Sequence, residues 1–169
     1  EHLGPLNDVK LFRMNPDCTN MVAVAGQFGK RFNSIVQAQE LEPGVFVSIA
    51  TSRSGTIQAG AIMEIDARSR TSDNPELYID VQQATFENLT PQVPTGDGSP
   101  PSGVGRYRNP RPLPGDAGQY LVSWADGDVN ERNELAETAP NFGVYLWDPE
   151  SQRRTLVYDD PEMWDLYAM

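Results

Sequence analysis

Three short stretches constrain the fold of this chain more than any other feature: LFRMNPD at 11–17, GAIMEIDARS at 60–69 and GVYLWDPES at 143–151. Each runs as an apolar alternation and stops at an Asn or Asp. A period of two sends successive side chains to opposite faces of an extended strand. Asn and Asp then bond their own backbone to start a turn, and Pro fixes φ for it. The chain is therefore read as one strand-and-turn unit used repeatedly.

The surrounding sequence supplies the partner strands. VKLFRM at 9–14 and MVAVAG at 21–26 flank the Asn15-Pro16-Asp17 turn as a hairpin. IVQAQELEPGVFVSIA at 35–50 is a second hairpin turning at Glu42-Pro43-Gly44, and TSRSGTIQAG at 51–60 is a polar loop. AIMEID at 61–66 and LYIDV at 77–81 extend it as an antiparallel meander. TPQVPTGDGSPPSGVG at 90–105 is rich in Pro, Gly, Ser and Thr and reads as an irregular connector. Strands resume in QYLVSWA, GVYLWD and RTLVYD, and PEMWDLYAM at 161–169 reads as the start of another element. Fourteen Gly and fourteen Pro suit many turns between short strands.

AQELEPGVFVSIA at 38–50 also aligns with PRPLPGDAGQYLVSWA at 110–125, each followed by a loop and a strand ending in Asp. Four-stranded units recurring at roughly 40 to 50 residues, with insertions in their loops, are the pattern of β-propeller blades. The fold class predicted is all-β: a propeller fragment of about three four-stranded antiparallel blades. A β-sandwich is the alternative, since it too has evenly spaced short strands. The units expected are an incomplete blade at 1–34, a blade at 35–89, a linker at 90–105, a blade at 106–161 and the start of a further element at 162–169.

Charge and composition narrow the function classes. With 24 acidic and 13 basic residues the net charge is −11, which repels nucleic acid and anionic lipid. No apolar run approaches the length of a membrane-spanning helix, so no membrane insertion is expected. Cys18 is the sole cysteine, which excludes an intrachain disulfide and any CxxC or CxxCH motif. His2 is the sole histidine, so the chain holds no internal His-based triad or multi-His metal site. Ser34, Ser48, Ser52 and Ser54 lack a G-x-S-x-G elbow. Because the sequence begins at Glu1, a longer parent is expected.

The residues LFRMNPDCTN resemble the strand-turn signature of TolB-type, or WD40-like, propeller repeats, with Cys18 where that family usually has Gly. That departure predicts a looser first turn. GRYRNPRPLPGDAGQYLVSWA with FGVYLWDPESQRRTLVYDDP resembles the blades of the hydrazine synthase alpha subunit propeller and its secreted relatives. The resemblance covers residues 9–66 and 104–161. It implies a periplasmic or extracellular bacterial propeller, one module of a larger protein. The haem chemistry of hydrazine synthase depends on CxxCH motifs, and it is not carried over to a chain without one.

Few residues qualify as chemistry. Asp126, Asp128, Asn130, Glu134 and Glu137 fall at the first, third, fifth, ninth and twelfth positions of an EF-hand-like loop and could supply calcium with oxygen ligands. Glu131 replaces the Gly that such loops need, and a solvated acidic loop is the competing reading. Arg106, Arg108 and Arg111, interleaved with Tyr107, could clamp an anion or line a propeller channel. They could equally pair with the protein's own acidic excess. Cys18, beside Asp17, reads as a partly buried turn cysteine, and Asp159 with Asp160 as solvated carboxylates. Trp124 and Trp147 lie on predicted strands and read as core rather than as a sugar-stacking surface with Trp164, Tyr145 and Tyr158.

The function expected is a non-enzymatic binding or scaffolding propeller module that meets a protein or small ligand on one face. The alternative is the propeller part of a multidomain enzyme of the hydrazine-synthase-alpha type, with its active site outside this chain. Three blades cannot close a ring, so either a homodimer or the remainder of a longer chain is expected to complete it.

Overall fold

A computed structural model describes residues 2–3, 8–9, 11–25, 34–51, 57–68, 84–95, 103–115, 118–129 and 139–167. The strands are β1 (His2–Leu3), β2 (Asp8–Val9), β3 (Leu11–Arg13), β4 (Val22–Ala25), β5 (Ser34–Glu42), β6 (Val45–Thr51), β7 (Ala61–Asp66), β8 (Thr85–Asn88), β9 (Arg106–Pro112), β10 (Tyr120–Ala125), β11 (Gly143–Asp148) and β12 (Arg153–Tyr158). No helix occurs among the described residues. The protein is all-β, as its alternating pattern predicts.

One sheet runs β1-β2-β5-β6-β7-β8, a second β12-β11-β10-β9, and β3 pairs with β4 alone. Both large sheets are open. Within the first, β5 to β8 form an antiparallel meander, and β9 to β12 form another. Among the described residues the single parallel contact is Val9 with Ser34. The predicted strand at 77–81 lies outside the described residues. Within them, β7's outer neighbour is β8.

Local chemistry sets the strand ends. Asp66 Oδ1 accepts the Arg68 N–H at 2.8 Å, and Asp148 Oδ1 accepts that of Glu150 at 2.9 Å. At the first turn, the Asn15 carbonyl accepts the Cys18 N–H at 2.9 Å, while Asp17 Oδ1 accepts from both Thr19 N–H and Thr19 Oγ1. Cys18 sits at φ 64 there, the left-handed conformation a glycine adopts freely. The turn closes with Cys18 at this position, and Cys18 is exposed rather than partly buried.

The core has two layers of contact. Every residue of β6 is buried, so both faces of its sheet are covered. Val47 and Ile49 join Ile62, Val93, Tyr107, Tyr120, Val122, Trp124 and Trp147 between the two large sheets. On the opposite face Phe46 and Ile65 pack with Val24 and Ala25 of the β3–β4 hairpin. Each large apolar side chain so enclosed contributes on the order of 1.5–3 kcal/mol. Trp124 and Trp147 are thus core residues.

Backbone contacts lock the sheets together. Gly60 and Tyr107 exchange N–H···O bonds, both at 2.9 Å, although they belong to different sheets. A Cβ on Gly60 would stand 2.1 Å from the Ala50 carbonyl oxygen, so only glycine fits against β6 at this point. Nearby, Gln37 of β5 accepts the Asn109 N–H of β9 at 2.7 Å.

The chain end is expected to begin a further element at 162–169, of which residues 162–167 are described. Residues 161–167 form no strand. Instead the segment folds back: Asp165 N–H donates to the Phe142 carbonyl at 2.7 Å, the Asp165 carbonyl accepts from Ser123 Oγ at 2.8 Å, and Trp164 packs edge-on against Phe142. Polar anchors and one aromatic contact win over continued strand pairing.

Candidate functional site

The strand alternation of β7 places Ile62, Glu64 and Asp66 on one face. Ile62 enters the core between the sheets, so the two carboxylates lie further along that same surface. Glu87 of β8 is the cross-strand partner of Glu64, and Thr85 that of Asp66. Three carboxylates therefore share one side of the sheet. Glu64, Asp66, Thr85, Phe86, Glu87 and Asn88 line a cavity of about 580 Å³.

Electrostatics distinguish the three. Partial burial, then the charges of Glu87 and Asp66, push the Glu64 carboxyl above its ordinary value, with Arg68 pulling weakly the other way. Asp66 is held low, chiefly by its hydrogen bonds from Arg68. Arg68 bridges Asp66 at 2.8 Å and Glu42 at 2.7 Å on the open surface. Among the described residues neither Glu64 nor Glu87 has a salt bridge of this kind, and Arg68 reaches Glu64 only through its charge. The charge on Glu64 also reaches Tyr120, whose hydroxyl is raised first by burial and then by that charge. Tyr120 lines a neighbouring cavity of about 440 Å³ with Leu41, Pro112, Leu113 and Gln119. The arrangement offers acceptors to a cationic or hydrogen-bond-donating group beside an aromatic wall.

It does not form a metal cage. Among the described residues no three His, Cys, Asp or Glu side chains converge at metal-binding distances.

The predicted calcium residues are only partly visible. Asp126 accepts the Trp124 indole N–H at 2.7 Å, so its carboxylate already serves the aromatic core, and Asp128 follows it in the same exit from β10. Asn130, Glu134 and Glu137 lie outside the described residues.

The arginine patch divides. Arg106 and Arg108 are buried at 1% and 8% exposure, whereas Arg111 is exposed. Arg106 donates to the Pro94 carbonyl at 3.1 Å, a backbone partner where the sequence suggested an acidic one. Burial depresses its pKa. Arg108 lies over the rings of Phe142 and Trp164 at 5.8 and 6.0 Å. The three do not form a common clamp.

Arg154 is an arginine that sequence reading passed over. Its guanidinium stacks 3.9 Å above the Trp124 ring and donates to the Tyr107 hydroxyl at 2.8 Å. Tyr107 in turn contacts Trp124 and Trp147 at 4.3 and 5.7 Å. This cluster caps the core rather than a ligand.

Other candidates have structural partners. Asp159 accepts from Asn141 at 2.7 Å, and Asp160 caps the turn at Glu162. Ser34 and Ser48 are buried; Ser52 and Ser54 lie outside the described residues, as do the side-chain surroundings of His2. Tyr158 is exposed and Tyr145 packs on the core rim. Glu64 and Glu87 were missed because their pairing requires β8, TFEN, which carries little apolar signal. The Glu64-x-Asp66 alternation was the available clue.

No protein family, no curated protein and no solved structure matches the chain.

Proposed function

We propose that this chain is a non-enzymatic binding or scaffolding module of a larger secreted or periplasmic bacterial protein, built as part of a TolB-like propeller. Two successive four-stranded antiparallel meanders, packed face to face with their first strands β5 and β9 in contact, support the blade reading. A β-sandwich of the same two sheets is the rival. The secreted setting rests on the resemblance of LFRMNPDCTN and GVYLWDPES to that repeat type.

The observation that carries binding is the 580 Å³ cavity in which Glu64 is half-buried opposite Glu87, with no salt bridge to either among the described residues. Such a site suits a cationic group, either a lysine or arginine of a protein partner or a small amine. Calorimetry with spermidine and with a lysine-rich peptide tests this. Binding that weakens at least tenfold in Glu64→Gln/Glu87→Gln supports it. No heat, or heat unchanged in that variant, sinks it.

The alternative is the propeller part of a multidomain enzyme of the hydrazine-synthase-alpha type, completed by residues outside this chain. A CxxCH motif in the parent sequence would favour it.

A further inference from the structure

Among the described residues β12 is the outermost strand of its sheet and pairs only with β11. All six of its residues are exposed, and Leu156, Val157 and Tyr158 show 55%, 58% and 57% of their surface. A β-prone strand with an unpaired edge is a template for another strand. Its sequence says which one. Arg153-Arg154 precede the apolar centre and Asp159-Asp160 follow it. Read in reverse, the order of charges inverts.

We propose that β12 pairs antiparallel with β12 of a second copy, across a two-fold axis near Leu156 and Val157. That arrangement places the Arg end of each copy beside the Asp end of the other and brings the two apolar centres together. A parallel pairing would set Arg on Arg and Asp on Asp. Charge complementarity therefore selects both the partner and its direction. The choice is pointed because a net charge of −11 makes two copies repel over most of their surface.

Arg153 is exposed, faces Asp148 across the β11–β12 ladder, and is the cation the contact would use, since Arg154 is committed to Trp124 and Tyr107. At the other end Asp159 is exposed, holding only the Asn141 amide. The register shift between Val144 and Tyr145 leaves Val157 without a Cα partner on β11. This bulge adds twist, so the shared ladder is limited to about the length of β12. A contact this small makes a weak, reversible dimer. A two-fold pair of this kind is isologous and closes without forming fibres. The inference does not depend on what the cavity at Glu64 binds.

Sedimentation equilibrium of the whole chain over a hundredfold concentration range tests it. The wild type is expected to pass from monomer to dimer mass. Leu156→Lys is expected to abolish the dimer, as are Arg153→Glu and Asp159→Lys separately. An equimolar mixture of those two charge variants is expected to recover dimer mass, because each supplies the sign the other lost. Unchanged thermal melts would show that the variants remain folded. A wild type that stays monomeric, a dimer that survives Leu156→Lys, or a mixture that fails to recover would each overturn the assignment.

Discussion

At Arg154 a single guanidinium holds together residues from three strands. It covers the Trp124 ring from β10 and satisfies the buried Tyr107 hydroxyl from β9, while Trp124 leans on Asp126 through its indole N–H. Arg154→Ala removes a close cation–π contact of about 0.5–2 kcal/mol and leaves a buried hydroxyl without its donor. The expected loss is about 2 kcal/mol in urea unfolding followed by tryptophan fluorescence. Arg154→Lys should recover less than half of it, because an ammonium cannot stack as a plane. Gly105 is the complementary case. At φ 82, with a Cβ falling 2.3 Å from the Ala125 carbonyl oxygen, it admits no side chain, and Gly105→Ala is expected to cost more than about 2 kcal/mol by the same measurement. Glu64 gives a pH signature. Its carboxyl titrates above the ordinary 4.5, so the folded state binds the proton more tightly than the unfolded chain does. Its charge opposes folding: stability is lost as pH rises from that value through the folded one, and the penalty remains at neutral pH. Glu64→Gln should therefore raise the melting temperature at pH 7 and leave it nearly unchanged at pH 4, as read by calorimetry.

Among the elements, β6 and β12 are opposites. β6 is buried throughout and paired on both sides, while β12 is exposed throughout and paired on one. Amide exchange should show β6 protected close to the global unfolding free energy and β12 opening far more readily; equal protection in the isolated monomer would contradict the sheet order. What was legible in the sequence follows the same division. Asp17, Asp66 and Asp148 announced their turns because an Asp carboxylate acts on backbone within a few residues, and no tertiary knowledge is needed to see it. VFVSIA and YLVSWA were legible as strands for the same reason of local pattern. β8 was not, because TFEN acquires its role only from the edge of β7 beside it. In β9 three arginines within six positions look like a patch in sequence, yet burial takes in Arg106 and Arg108 and leaves Arg111 exposed. The candidate cavity was invisible for a related cause, since Glu64 and Glu87 are 23 residues apart in sequence and meet only through cross-strand register.

For the molecule as a whole, the excess of 24 acidic over 13 basic residues is an opposing force distributed over a small surface. Salt should screen it, so the melting temperature is expected to rise between low and moderate sodium chloride, with little further change once the Debye length falls below the spacing of the charges. A fall with salt would mean that ion pairs such as Arg68 with Glu42 and Asp66 outweigh the repulsion. The reciprocal bonds between Gly60 and Tyr107 carry a different kind of consequence. They tie the residue just before β7 of one sheet to β9 of the other through backbone. Under tension a hairpin at the edge can peel one bond at a time, whereas displacement of one sheet past the other must rupture this pair together. The joint is expected to act as a shear pin, resisting displacement of one sheet past the other in a way that no tally of buried surface would reveal.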